Sequence, residues 1–336
     1  MPILLASPEP TTPITPPTPV GPLPPIERYV YEDHFPGLAS FTWTGWDGST
    51  WELLCRDHTS ASGVALGRRT RGLHFPQIDP YTVDSPSVDG ASVTGYVVPP
   101  REVFFTVRVW QHGSSHEWIE HDRRWWRSML PVLPGVRSPG RLTVTAPNGG
   151  RRWLELHPEH KGDHDYDVDP SKRGWETYGV YLTAYRPFWT SDPLPAKTFQ
   201  QGGSSGFFGG AVGGKGAPFV IGGSSAFGGA VIDNPGDEPA WPVWRLHGPF
   251  TQVKIGTPGA LTTIVMDVAA GDSITVNTDP LAQAVTDQDG RSRYPSQLAG
   301  APFSSIPPGK DVPLVAEVSG QGRIDVTVQP LYYRGW

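Results

Sequence analysis

The 336-residue sequence predicts a mainly β protein: a β-rich N-terminal domain with one helix, then a C-terminal sandwich or jelly roll. Three observations predict it. Proline and glycine, at 38 and 40 residues, together exceed a fifth of the chain, and both penalise helix interiors. Short runs of β-branched and aromatic residues recur, separated by turn pairs such as Asn148-Gly149, Pro258-Gly259, Gly271-Asp272 and Pro308-Gly309. Only one stretch has clear helical spacing.

Residues 1–26 are proline-rich. Pro10, Pro13, Pro16, Pro19, Pro22 and Pro25 fall at every third position. Polyproline II has three residues per turn, so these prolines line one edge of an extended rod. At about 3.1 Å per residue such an arm reaches roughly 50 Å. Two readings stay open: an arm gripping a neighbouring subunit, with Pro13, Pro16, Pro19 and Pro22 as contacts, or a stiff leader.

Residues 27–200 read as β with one helix. "REVFFTVRVW" (101–110) is a strand signal, and "TYGVYLTAYRPFW" (177–189) alternates in the same way. "RLTVTAPNGGRRWLEL" (141–156) is a hairpin, because Asn148-Gly149 accepts the positive φ of a tight turn. The helix is expected over 114–130. Ser114 and Glu117 form a capping-box pattern, and Trp118, Asp122, Trp125, Trp126 and Met129 share one face, read as core.

Residues 201–233 are Gly-rich and repeat: "GGSSGFFGGAV" (202–212) returns as "GGSSAFGGAV" (222–231). This is a linker or an extended ribbon between domains. Phe207, Phe208 and Phe227 sit among the glycines, with Phe219 between the repeats. A pure linker has no use for aromatics, so these four are candidate anchors on a neighbouring subunit or an adjacent protein, the alternative being a solvent-exposed spacer. Residues 234–336 hold about seven short alternating runs, the spacing of a sandwich or jelly roll.

Composition excludes several function classes. A net charge of −6 offers no basic field, which argues against sequence-specific nucleic-acid binding. Cys55 is the only cysteine, so neither an intrachain disulfide nor a Cys-rich zinc site is expected. The N-terminal apolar run, Ile3 to Ala6, is too short for a signal-peptide core or a membrane span, and no later run is long enough.

Two enzyme motifs match only in letters. Gly202 to Gly206 fits G-x-S-x-G around Ser204, but "AKTFQQGG" stands where a nucleophile elbow needs a buried strand, and glycines stand where it needs a helix. "GGAVGGK" (209–215) ends on Lys215, followed by Gly216 where a P-loop needs Ser or Thr. "HPEHKGDHDYDVD" (157–169) spaces Asp163, Asp165, Asp167 and Asp169 on one face of an extended strand. An EF-hand starting at Asp163 would need Gly and Glu where Val168 and Gly174 stand, so a solvated acidic loop is expected. No catalytic, cofactor or metal residue is assigned, and an enzyme is not expected.

Several segments, in order, carry a resemblance. "NPGDEPAWPVWRLHGP" (234–249), "AAGDSITVNTDP" (269–280), "DQDGRS" (287–292) and "FSSIPPGKDVPLVAEVSGQGRIDVTVQPLYY" (303–333) follow "WTGWDGSTWELL" (43–54) and "SPSVDGASVTGYVVPPREVFFTVRV" (85–109). Over roughly 28–336 the chain resembles the distal tail proteins of siphophages, in the style of phages infecting actinobacteria. The resemblance implies a minor tail protein of the virion, made in the host cytoplasm and placed at the tail tip. It implies an N-terminal domain over 27–200 closing a ring, usually a hexamer, and a galectin-like β-sandwich over 234–336 on its outside. Implied partners are further copies, the tail tube protein, the baseplate hub or tail-associated protein, the tape measure protein, and receptor-binding proteins or fibres. DNA passes through the lumen. The Pro-rich leader and Gly-rich repeat are not general features of that family. The alternative is a carbohydrate-binding adhesion module, with Trp241 or Trp244 exposed for stacking, though no His-x-Asn-x-Arg series of sugar-binding galectins is present.

Overall fold

Alternation of apolar and polar residues sets the architecture, in a computed structural model that describes residues 39–54, 62–84, 89–161, 164–166, 168–200, 225–226, 230–293, 297–300 and 303–336. In chain order the first part runs β1 (Ser40–Thr44), β2 (Thr50–Leu54), β3 (Val64–Leu66), β4 (Asp79–Asp84), β5 (Ala91–Val97) and β6 (Arg101–Trp110). Then come helix α1 (Ser115–Ser128), β7 (Gly140–Thr145), β8 (Arg151–Glu159), the single-turn helix α2 (Pro170–Arg173), β9 (Trp175–Ala184) and β10 (Trp189–Ser191). The second part runs β11 (Lys197–Gln200), β12 (Ser225–Ala226), β13 (Val231–Asn234), β14 (Val243–His247), β15 (Phe250–Thr257), β16 (Ala260–Val268) and β17 (Ser273–Asn277). It continues with β18 (Ala284–Asp287), β19 (Gln297–Gly300), β20 (Gly309–Pro313), β21 (Val315–Gly320), β22 (Arg323–Thr327) and β23 (Leu331–Tyr332). The protein is mainly β.

The first core lies inside an antiparallel sheet of order β2-β1-β7-β8-β9-β6-β3. In β6, Val103, Phe105, Val107 and Val109 point inward and are buried, opposite Tyr178, Val180 and Leu182 of β9. The period of two does this without help from neighbours. The two ends of the sheet come back together, since Ser62 Oγ, just before β3, donates to Glu52 O in β2 at 2.7 Å. The hairpin around Asn148-Gly149 forms as read, with Gly149 at φ 86°.

Helix α1 starts at the capping box: the Ser114 side chain accepts from Glu117 N, and Glu117 Oε2 accepts from Ser114 N at 2.6 Å. Its inner face differs from the aromatic stripe in the sequence. Trp118, His121, Trp125, Ser128 and Met129 are buried, while Asp122 and Trp126 are half-buried. Two polar residues thus occupy core positions, and a search for apolar spacing passes over them. Each is satisfied locally. Ser128 Oγ donates to Trp125 O at 2.6 Å and accepts from Trp43 Nε1 at 3.2 Å. His121 Nδ1 lies 3.2 Å from Arg124 Nη2, and Nε2 lies 3.3 Å from Gly63 O. A guanidinium only donates and a carbonyl only accepts, so the ring is neutral with its proton on Nε2.

Burial, then the nearby Arg124 charge, hold His121 below its usual 6.5, outweighing the bond to Gly63 O, which acts upward. The unfolded chain therefore takes up this proton first, and stability rises with pH where that happens. The stabilising difference is present above pH 6.5 and is lost as pH falls through the lower, folded value. His121→Gln is expected to flatten this part of the profile; denaturant titrations at pH 7.5 and 5.5 check it, and an unchanged slope refutes it.

Helix α2 is a second helix where the sequence reading expected one. Asp169 caps it, accepting from Ser171 N at 3.0 Å, Pro170 starts it, and Gly174 closes it at φ 73°. The Asp-Pro…Gly signal is visible in the sequence, but four residues give no periodicity. Asp165 is exposed, Asp169 is spent on α2, and Asp163 and Asp167 lie outside the described residues.

The second core is a sandwich of two five-stranded sheets, β11-β22-β14-β17-β18 and β12-β21-β15-β16-β19. Trp244, Leu246, Ile274, Val276, Ile324 and Val326 of the first meet Val253, Ile255, Ile264, Ala316 and Val318 of the second. Strands β13 and β20 pair separately. Each part lends a strand to the other's neighbourhood. Strand β11, ahead of the Gly-rich segment, pairs with β22, while β23 returns to pair with β10 of the first sheet.

Candidate assembly surface

The strands β4 and β5 form a two-stranded sheet of their own. A strand with one dry face alternates; these two have none. Tyr81, Val83, Val93, Tyr96 and Val97 are 56%, 57%, 67%, 51% and 43% exposed. The register places Tyr81 and Val83 on one face and Val93 and Tyr96, opposite Thr82 and Pro80, on the other. A shift after Tyr81 skips Thr94, whose Oγ1 donates to Tyr81 O at 3.2 Å. An isolated hairpin is marginal in water, and apolar side chains on both faces gain nothing until something covers them. The mixed faces of this hairpin give no clean alternation in its sequence.

The hairpin is stiff at its base. Val98-Pro99-Pro100 joins β5 to β6, and the two prolines fix φ. Tyr96 Oη donates to Glu238 Oε1 at 2.9 Å. Beside it Arg101, 4% exposed, donates from Nη1 to Gly72 O and His74 O at 3.2 and 2.8 Å, and from Nη2 to Tyr333 O at 2.9 Å. Carbonyls accept these bonds, and burial lowers the guanidinium to about 10. Phe75, 55% exposed, lies 5.4 Å from the Tyr333 ring. The exposed apolar residues of the hairpin and the 72–75 loop thus share one rigid footing.

The candidate contacts Pro13, Pro16, Pro19, Pro22, Phe207, Phe208, Phe219 and Phe227 lie outside the described residues, as do Ser204 and Lys215. Ser225-Ala226, from the second repeat, pair with Val318 and Glu317 of β21. Trp244 is 1% exposed, in the sandwich core, while Trp241 precedes β14 and is half-buried. Stacking on sugar is therefore closed to Trp244. Among the described residues no group of three or more His, Cys, Asp or Glu is placed to hold a metal, and no helix is long and apolar enough to cross a membrane.

Comparison with known proteins rests on shape. No protein-family model matches the chain, and no curated protein sequence matches it significantly. The crystal structure of the Dit protein of phage SPP1 superposes with a TM-score of 0.56 at 12% identity, covering 87% of this chain and 99% of that one. The chain has the fold of a phage Dit protein. That protein is described as a paradigm of the hub adsorption apparatus in phages infecting Gram-positive hosts. Two structures of the phage p2 baseplate in its activated conformation, with strontium and with calcium, match at TM-score 0.48 and 13% identity, over 87% of this chain and 98% of each matched chain.

Proposed function

We propose that this chain is a structural, non-enzymatic subunit of a phage tail tip. It closes a ring, with six copies expected, at the end of the tail tube, and joins tube and tape measure proteins to hub and receptor-binding proteins. Its place is the virion, and DNA passes through the ring without being read. The observation that carries this reading is the likeness to SPP1 Dit over 99% of that protein's chain, both cores included. The β4–β5 hairpin supports it, because a subunit among copies of itself has a neighbour to cover both faces. Exposed apolar side chains that a monomer would leave wet become contact area in a ring. The Pro-rich arm and the phenylalanines of the Gly-rich repeat are further contacts with neighbours.

Negative-stain imaging of the purified full-length protein tests the reading directly. Closed rings of uniform diameter are the expected result. A monomer at micromolar concentration that binds glycans on an array would replace the ring subunit with an adhesin.

A further inference from the structure

The turn that follows β13 is built with unusual care for a surface feature. Asn234, 1% exposed, donates from Nδ2 to Glu238 O and Ile306 O at 3.0 and 2.9 Å, and its Oδ1 accepts from Gly236 N at 3.0 Å. Gly236 is required there: a Cβ would stand 2.7 Å from Leu331 O. The turn lies against the returning C-terminal segment, with Asp237 N donating to Leu331 O at 2.7 Å and Tyr333 N donating to Asp237 Oδ2 at 2.9 Å. Its product is the position of Glu238. Glu238 is 8% exposed, and its Oε1 accepts from Tyr96 Oη on the hairpin and from Tyr333 Oη on the C-terminal segment.

Three parts of the chain therefore meet at one oxygen: the base of the hairpin, the second core's first turn, and the segment that carries β23 back. The geometry points to a clasp in which Glu238 of the second core sets the direction of the β4–β5 hairpin before any neighbour binds it. A hairpin free to swing would lose that freedom on docking; one already held does not, and preorganisation of this kind strengthens association without adding a contact. Glu238 is thus a positioning residue for assembly, although it is buried and belongs to neither hairpin strand. The assembly consequence rests on the hairpin being the contact between copies; the clasp itself does not.

The test separates the two. Cysteines replacing Ser92 on the hairpin and Leu281 on the second core, in a chain with Cys55→Ser, carry spin labels for distance measurement on the full-length protein. Glu238→Gln keeps an acceptor oxygen and is expected to keep a narrow distance distribution. Glu238→Leu and Tyr96→Phe each remove the bond between hairpin and second core and are expected to broaden it, and to weaken assembly by about tenfold. Should Glu238→Leu unfold the second core, seen in tryptophan fluorescence, Tyr96→Phe decides, since it removes one hydroxyl and no packing. Narrow distributions in the clasp-breaking variant that folds overturn the clasp, whatever the oligomeric state. Broadened distributions with unchanged assembly leave the clasp standing and remove the hairpin from the ring contact.

Discussion

Val83→Asp combined with Val93→Asp is expected to abolish assembly, with a loss on the order of 100-fold or more in association. The two side chains are 57% and 67% exposed and lie on opposite faces of the hairpin. In the free subunit a carboxylate at either position stays in water, so stability should change by no more than about 0.5 kcal/mol. Under a neighbouring subunit the same carboxylate would be stripped of water, at a large cost for an unpaired charge. The contrast between a large assembly defect and an intact fold is the signature of a contact surface. Mass photometry measures the first, and thermal melts the second. The single variants then show which face carries the contact. A double variant that assembles like the parent protein would exclude the hairpin.

Trp125→Ala is expected to cost about 3–5 kcal/mol, the range for emptying a buried aromatic site. Trp125 is fully buried, and Trp51 meets it edge-on with ring centroids 5.5 Å apart. Among the described residues its indole nitrogen has no hydrogen-bond partner, so the loss is one of packing. Denaturant unfolding measures the cost, and Trp125→Phe should recover much of it because the edge-on contact to Trp51 survives in part. A loss below 1 kcal/mol would mean that α1 is not clamped to the sheet by this residue.

Local features were legible in the sequence because few neighbouring residues encode them. The Ser114–Glu117 box begins α1, Asn148-Gly149 turns the β7–β8 hairpin, and alternation in 101–110 marks β6 down to which side chains face the core. The motif Asn234-x-Gly236 was visible as a marker, but not its task of presenting Glu238. Likewise the apolar spacing along α1 does not mark His121 and Ser128. Their burial depends on partners from 58 and 85 residues away, Gly63 and Trp43.

The sequence by itself determined a mainly β chain, with its helix, turns and strand faces, because the period of two and the capping chemistry act over a few residues. Only the tertiary structure decided that β11 crosses to the second core, that β23 returns to the first, and that the β4–β5 hairpin stands exposed on both faces. It alone brought Tyr96 to Glu238 across 142 positions, and Tyr333 to Glu238 across 95. No local pattern marks such pairs. Any exposed tyrosine and any glutamate satisfy the same composition, and their meeting is fixed by which sheet edges and turns remain available once both cores have packed.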